Sequence, residues 1–537
     1  MLWTGITSRL GVFLGCALCA PLAAAAPPES NPFERSAAPQ PRNALDEAVF
    51  LRLHTLEIEP AHACSDAVFV RRVFLDVIGT LPTAMETKQF LQDPAPGKRA
   101  ALIDVLLARS EYADYWAVKW SDLLRVKAEF PVNLWPEAAQ AYHRWIHTAL
   151  RDNLPFDRFA RELLTANGSN FRVGPVNFYR ALQNREPATI ARTVALTFMG
   201  VRAEQWPPEQ LAGLAGFFTA LTYKTTGEWK EEIVFFDPDK LAPAPGGTAG
   251  GPPALPPAGF PDGTPVPAFG ERDPRTVFAD WLVRPDNPWF ARALANRVWS
   301  WLLGRGVVEE PDDFRPDNPP ANPALLAVLE HELVAAHYDV KQLMRLILNS
   351  ETYQLSSIAR SDRPEAAANF AAYPLRRLDA EVLIDAIGAI TGTTEKYSSA
   401  IPEPFTYVPE DQRAIALSDG SITSTFLEMF GRPARDTGLE SERNNRITAT
   451  QRLQLLNSTQ IQRKLEQGPK LQALFGTRGG PRQVATELYY TILARPPTAA
   501  ELQSITSSAQ SGRGNTRTNA LDLAWALMNS AEFLYRH

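Results

Sequence analysis

Apolar residues recur along most of the chain at the spacing of helices with one buried face. Between Val68 and Val77 they return every three or four residues, Gly79 is placed to end that helix, and Thr83 to cap the next. The same pattern predicts further helices at 97–108, 112–126, 134–153, 156–166, 186–199, 209–221, 274–283, 287–303, 322–336, 339–349, 379–390, 448–457, 481–493, 498–509 and 516–533. The connections are short, so the pattern predicts a mainly α fold of packed helices.

Two stretches interrupt the helical pattern. Trp229–Phe236 is rich in aromatic and β-branched residues, which predicts a strand and a minor β component. Residues 241–267 are dominated by proline and glycine, and such a stretch cannot bury enough apolar surface to fold alone. We therefore predict two multi-helix domains joined by a Pro/Gly-rich segment.

The N-terminus has the pattern of a secretory signal. Arg9 precedes an apolar run from Leu10 to Ala26, with cleavage expected near Ala25. An uncleaved anchor is the alternative, although the run is shorter than the roughly 20 residues of a spanning helix. We therefore expect export to the periplasm or cell surface, without a transmembrane span in the mature chain. The predicted division is a signal peptide at 1–26, a disordered linker at 27–42, a helical domain at 43–238, a Pro/Gly-rich linker at 239–270 and a second helical region at 271–537.

Net charge limits the partners of the chain. Its 537 residues include 54 Lys and Arg against 60 Asp and Glu, a formal charge of −6. A protein of this charge has no overall basic field to attract nucleic acid, so we predict no nucleic-acid partner.

Several multi-residue blocks resemble two planctomycete domain families. The blocks at 70–83, 116–125 and 142–146 are similar to the planctomycete cytochrome-c-associated domain, the domain of unknown function fifteen forty-nine. The blocks at 296–314, 376–381, 432–458 and 493–498 are similar to its usual partner, the planctomycete surface domain fifteen fifty-three. The resemblance runs from about Asn43 to the C-terminus, in the expected order.

The resemblance implies an exported protein whose relatives are often fused to, or encoded near, c-type cytochrome domains. Many members carry a Cys-x-x-Cys-His element where this chain has Val201–Pro208, and two cysteines where it has Leu439 and Ser441. Covalent haem attachment requires two thiols and an adjacent histidine. We therefore predict no haem in this chain. The partner that the resemblance still allows is a separate c-type cytochrome, to which this chain would dock.

The block from Arg432 to Arg446 is the richest in candidate chemistry. Arginine forks suit carboxylate, sulfate or phosphate, which predicts a site for an anionic ligand. Two alternatives stay open: an ion-pair network that holds this loop to the core, and an acid/base pair, Glu440 and Glu442, acting on a sugar. The candidate ligand-binding residues are Arg432, Arg435, Glu440, Glu442, Arg443 and Asn444.

A second candidate site is the acidic run that starts at Glu309. Asp312, Asp313 and Asp317 are hard oxygen ligands on a proline-punctuated stretch, which predicts a possible calcium site. The alternative is that these carboxylates cap helices and pair with Arg305 or Arg315. No other cofactor is predicted.

The sequence contains no complete catalytic motif, so its enzymatic status stays open. We expect an exported cell-envelope protein, most simply a non-catalytic binding or scaffold protein with an envelope protein or polysaccharide as partner. Two alternatives are an enzyme that acts on anionic, sulfated or uronic polysaccharide, and a docking accessory of a separate c-type cytochrome.

Overall fold

The computed structural model describes residues 31–241, 257–476, 480–510 and 516–537. The predicted signal peptide, residues 1–26, lies outside these ranges, as do residues 242–256 of the Pro/Gly-rich segment. Within the described ranges the chain forms 23 α-helices and five short strands. The fold is mainly α with minor β, as predicted.

The N-terminal region contributes helices α1 to α9, at Ala44–Thr55, Asp66–Val77, Ala84–Gln92, Lys98–Ala108, Ser110–Leu123, Pro136–Arg151, Phe156–Thr165, Pro187–Val194 and Pro208–Gly216. The C-terminal region contributes α10 to α23, at Pro274–Leu282, Phe290–Leu303, Pro323–Ala335, Val340–Asn349, Pro364–Ala368, Ala380–Thr391, Thr425–Met429, Ala449–Asn457, Thr459–Gln467, Pro469–Phe475, Pro481–Leu493, Ala499–Gln510, Thr516–Met528 and Ala531–Leu534. Single turns of 3₁₀ or π helix lie at Gly174–Tyr179, Ala195–Met199, Ala203–Gln205, Pro238–Lys240, Ala414–Ala416 and Glu440–Glu442.

The predicted helix cap at Thr83 is found in the structure, and other helices are capped in the same way. Thr83 begins α3 with a capping box, in which its side chain accepts from Glu86 N and the Glu86 carboxylate accepts from Thr83 N. Asn322 and Asp339 cap α12 and α13 through their side-chain oxygens. Such caps satisfy N–H groups that a helix leaves without partners at its first turn.

Two small antiparallel sheets complete the fold. Strands β1 (Gly168–Ser169), β2 (Leu221–Thr225) and β3 (Glu232–Phe236) pair in the order β1-β3-β2, and β4 (Arg376–Arg377) pairs with β5 (Tyr535–Arg536). β3 confirms the strand predicted within Trp229–Phe236.

The helix predicted at 209–221 is wrong at its C-terminal end. α9 ends at Gly216, and the chain enters β2 at Leu221 instead. Thr222 and Tyr223 are β-branched and aromatic, and the pairing of β2 with β3 holds them in extended backbone.

Residues 31–42, predicted to belong to a disordered linker, make defined contacts. Glu34 forms a β-bridge with Cys64, and Arg35 N donates to the backbone oxygen of Ala63 at 2.8 Å. The Arg35 side chain forms an ion pair with Asp66. Composition alone indicates disorder here, but these backbone and ion-pair partners hold the segment against the start of α2.

One hydrophobic core joins the N-terminal and C-terminal regions. α1 packs against α12, α4 against α13 and α7 against α10. Trp301 of α11 lies between Trp116 and Trp120 of α5, with ring centroids 5.4 Å apart in both pairs. The buried cluster extends from Leu45 to Leu534, so the two regions do not have separate cores.

Buried charges on α2 also cross between the regions. Arg71 donates to the backbone oxygens of Ile492 at 3.0 Å and Phe533 at 2.7 Å. Arg72 donates to the backbone oxygen of Tyr353 at 2.5 Å. Both guanidinium groups are 1% exposed, and buried donors need such partners. In the described ranges, no helix is both long enough and apolar enough to cross a membrane.

Candidate functional site

The loop that follows α11, residues 304–320, is held against that helix by two of its buried side chains. Asn296 accepts from Val308 N at 3.0 Å and donates to the backbone oxygen of Val308 at 3.2 Å. Arg297 forms an ion pair with Asp312 at 2.7 Å, and both side chains are 1% exposed. We call residues 304–320 the acidic loop. Its backbone is therefore fixed to α11 at two points.

The acidic loop also packs against the turn at Gly200. Phe314 N donates to the backbone oxygen of Gly200 at 2.9 Å. Gly200 has a φ of +64°, and a Cβ added to it would lie 3.0 Å from Phe314 Cδ2 and from the backbone oxygen of Pro311. A side chain at this position would meet backbone strain and close contact together.

We expect Gly200→Ala to lower the free energy of unfolding by about 1–3 kcal/mol, because alanine is strained at this φ and crowds the acidic loop. Chemical denaturation measures the change. The matched control is Gly227→Ala, since an added Cβ there meets nothing within 4 Å. Equal stability of the two variants would contradict the packing described for Gly200.

Between the acidic loop, α5 and the segment at 440–445 lies a cavity of about 210 Å³, which we call the polar pocket. Trp301, Ser300 and Ser441 also border it. Nine charged residues line it: Lys119, Arg305, Glu309, Glu310, Arg376, Asp379, Glu440, Arg443 and Arg536. The pocket thus combines residues of both regions of the chain.

Asp379 is the central acceptor at the base of the polar pocket. Its Oδ2 accepts from Tyr115 Oη at 3.1 Å, Lys119 Nζ at 3.0 Å and Arg536 Nη2 at 3.2 Å. Its Oδ1 accepts from Asn445 Nδ2 at 2.7 Å. Burial alone would raise the pKa of Asp379, but the charges of Lys119, Arg536 and Arg443 hold it well below its ordinary value. Asp379 is therefore a carboxylate with both oxygens occupied.

Further carboxylates compensate the arginines around Asp379. Asp76 lies 3.0 Å from Arg536 Nε and 3.3 Å from Arg376 Nη2. Arg443 lies 2.8 Å from Glu381 and 2.6 Å from Asp122. These guanidinium groups are consequently paired before any ligand arrives.

Lys119 is paired with Asp379 but keeps unused donors, and Glu440 forms no ion pair within the described ranges. Within the described part of the chain, Lys119 Nζ makes one hydrogen bond, to Asp379, although an ammonium can donate three. Burial lowers the pKa of Lys119, and Asp379 opposes that shift. Burial raises the pKa of Glu440, with the nearby charge of Lys119 opposing and that of Asp312 adding to the shift. The pocket thus contains an ammonium with unused donors and a carboxyl group that protonates more readily than usual.

The six ligand-binding candidates from the sequence divide into two groups. Glu440 and Arg443 line the polar pocket, as does the neighbouring Asn445. Arg432, Arg435, Glu442 and Asn444 do not line it.

The second group makes local structural contacts. Arg435 is fully buried and lies 2.9 Å from Asp122, and Arg432 donates to backbone oxygens of residues 419 and 422. Glu442 accepts from Asp436 N at 3.0 Å, and the Asn444 side chain accepts from Arg446 N at 3.0 Å. The structure therefore does not place Glu442 beside Glu440 in the pocket. These four residues belong to an ion-pair and hydrogen-bond network, which is one of the alternatives to a ligand site that the sequence left open.

The carboxylates predicted to bind calcium are held by arginines. Asp312 pairs with Arg297, while Asp313 and Asp317 lie 3.1 Å and 3.4 Å from Arg315. Among the described residues, no group of three or more His, Cys, Asp or Glu is placed to hold a metal ion. Calcium binding stays a prediction, and a melting temperature that a chelator leaves unchanged would remove it.

Sequence reasoning did not single out Lys119 and Asp379. The available signal was a charge inside an otherwise apolar helical pattern: Lys119 lies between Trp116 and Trp120 on α5, where nearly every side chain is buried. Asp379 lies in the block 376–381, which carries part of the family resemblance but matches no catalytic or metal-binding motif.

Comparison with protein families gives two matches. Residues 44–204 match PSCyt2, a protein of unknown function (DUF1549), and residues 274–509 match PSD1, a protein of unknown function (DUF1553). The two matches, in this order, support the two-domain planctomycete architecture that the sequence blocks resemble. The polar pocket takes Lys119 from the first matched range and most of its other residues from the second. The chain matches no curated protein and no solved structure.

Proposed function

We propose that the protein is an exported, non-catalytic cell-envelope protein that binds the anionic group of an envelope polysaccharide in the polar pocket. The observation that carries the proposal is the buried Lys119 ammonium with unused donors at the pocket wall. A carboxylate or sulfate oxygen can accept the hydrogen bonds that Lys119 does not use within the protein, and a charge-assisted bond is among the stronger ones. Glu440, in its protonated form, can donate a further hydrogen bond to the same group.

Binding is favoured over catalysis by the state of the four carboxylates that line the pocket, Glu309, Glu310, Asp379 and Glu440. Glycoside hydrolysis normally uses two carboxyl groups that both face the sugar. Asp379 has both oxygens engaged by protein donors, and Glu309 and Glu310 form ion pairs with Arg305 and Arg202. Glu440 is therefore the lining carboxyl group that no cation of the described residues pairs with in this way. Export of the protein is part of the proposed function, because the pattern of the N-terminal 26 residues predicts a secretory signal.

We expect Lys119→Met to weaken the binding of galacturonate oligosaccharides and chondroitin sulfate oligosaccharides about tenfold or more, because a charge-assisted hydrogen bond is lost. Titration calorimetry measures the affinity. Methionine fills the space of the buried lysine stem, and Asp379 keeps Arg536, Tyr115 and Asn445, so the melting temperature should change little. The matched control is Lys224→Met, an exposed lysine outside the pocket. Equal affinities for wild type and Lys119→Met would contradict the proposal.

Glu440 makes the proposed binding dependent on pH. Its pKa is already raised by burial, and a bound anion raises it further, so binding takes up a proton between the two pKa values. Affinity for the same oligosaccharides should therefore fall as pH rises through this range, and Glu440→Gln should remove that dependence. The measurement is calorimetry in buffers of different ionisation enthalpy. A wild type without proton uptake would oppose the role given to Glu440.

The second candidate function is an enzyme acting on anionic polysaccharide, favoured by one observation. The pKa of Glu440 is raised while that of Asp379 is held low in the same pocket, and such a division is typical of acid/base pairs. Incubation with the same oligosaccharides distinguishes the candidates. Shortened products that disappear with Glu440→Gln would favour the enzyme, and intact oligosaccharides would favour binding alone.

A further inference from the structure

A larger cavity lies on the other side of the acidic loop. It encloses about 910 Å³, and we call it the aromatic groove. Trp206, Trp289 and Phe314 contribute rings to its wall, and each of the three is partly exposed. Arg292 and Arg315 add donors between the rings. The groove thus combines flat apolar faces with hydrogen-bonding groups.

The aromatic groove and the polar pocket share a wall. Residues Asp313 to Pro320 of the acidic loop line the groove, and residues Gly304 to Gly306 and Glu309 to Pro311 line the pocket. At the rim of this wall, Arg202 of the groove lies 3.1 Å from Glu310 of the pocket, and both side chains are solvent-accessible. The two cavities therefore meet at a surface ion pair on the rim of the acidic loop.

The two cavities suit different parts of one ligand. The polar pocket is small and charged, whereas the groove is about four times larger and within the usual size range of ligand sites. Sugar rings present apolar faces that pack on tryptophan and hydroxyl groups that bond to arginine, and aromatic rings supply large contact areas. The contact between the two linings at Arg202 and Glu310 points to the same occupant in both cavities.

We propose that the ligand is a polysaccharide chain, whose anionic group enters the polar pocket while the neighbouring sugar units pass over the Arg202–Glu310 pair into the aromatic groove. This inference rests on the proposed function and adds to it a second binding site, the aromatic groove, for the sugar units that neighbour the anionic group. A short ligand would leave the groove unused, so affinity must grow with chain length. A proline-rich or aromatic peptide is the competing occupant of such a groove.

The test measures the affinity of galacturonate from the monosaccharide to the hexasaccharide by calorimetry. We expect affinity to rise with length and then reach a plateau. Trp206→Ala and Arg315→Gln should each weaken hexasaccharide binding about tenfold, from the loss of roughly 1–1.5 kcal/mol of contact, and leave monosaccharide binding unchanged. Trp525→Ala is the matched control, because Trp525 is 40% exposed on α22 and lines neither cavity. Thermal unfolding confirms that each variant folds.

The outcomes separate this inference from the proposed function. If the monosaccharide binds through Lys119 and longer oligosaccharides bind no more tightly, the groove is not a binding site, and the assignment of the anion to the pocket stands. Length-dependent binding that Lys119→Met does not weaken would overturn the pocket as the anion site. Absence of binding to every oligosaccharide would overturn both, and binding of a proline-rich peptide that Trp206→Ala abolishes would assign the groove to a protein partner.

Discussion

Replacement of Asp379 by asparagine is expected to lower the free energy of unfolding by roughly 3–5 kcal/mol, the cost of leaving buried charges without their partner. Asp379 accepts from Lys119 and Arg536 and lies 3.8 Å from Arg443. Asparagine keeps the volume but removes the negative charge, so Lys119 would lose its ion-pair partner and Arg536 and Arg443 would each lose one of theirs. No other variant discussed above should destabilise the fold as much.

Urea denaturation followed by circular dichroism measures this loss. The matched control is Asp286→Asn, because Asp286 pairs with Arg284 on the surface and both side chains are largely exposed. The control should unfold at the wild-type midpoint. An Asp379→Asn variant as stable as the control would contradict the central position given to this carboxylate.

The same carboxylate makes stability depend on pH. Because the folded-state pKa of Asp379 is held well below the unfolded value of about 4, its contribution is complete above that value and is lost as pH falls below it. Wild type and Asp379→Asn should therefore converge in stability as the solution becomes strongly acidic.

Separation of the two regions is expected to abolish folding of each. Fragments of residues 31–241 and 257–537 would each expose one side of the shared core, including the faces of α4, α7 and α1 that pack against the other region. Arg71 and Arg72 would also lose their acceptors at Ile492, Phe533 and Tyr353. Buried donors without acceptors and exposed core surface both oppose folding.

Thermal unfolding of the purified fragments tests this expectation, with the two fragments produced together as the control. The separate fragments should show no cooperative transition, and the paired fragments should recover one. A cooperative transition in fragment 31–241 alone would contradict a shared core and favour two domains that each fold alone on either side of the Pro/Gly-rich segment.

Local features of the fold could be predicted from the sequence because they depend on neighbouring residues. The helical spacing around Val73, the cap at Thr83 and the strand near Val234 each depend on a few adjacent side chains. β2 was missed although Thr222 and Tyr223 favour a strand, because the segment follows the helical pattern of α9 closely and its pairing with β3 is not visible in the local sequence.

The candidate site could be predicted only in part, for a physical reason. The charge density of the block at 432–446 indicates buried ion pairs or a ligand site, but the partners of Arg435 and Arg443 are Asp122, Glu381 and Asp379, which are distant in sequence. Which arginines face the pocket depends on how α5 and α15 approach one another. The position of Lys119 at the pocket wall results from tertiary packing, which the sequence of α5 alone does not reveal.

The most direct measurement of the central claim is a crystal structure of the protein soaked with galacturonate tetrasaccharide. The account predicts a carboxylate of the sugar within hydrogen-bond distance of Lys119 Nζ in the polar pocket, with further units along the aromatic groove. A sugar bound at a site that shares no residue with the polar pocket, or a pocket that stays empty while the oligosaccharide binds in solution, would contradict it.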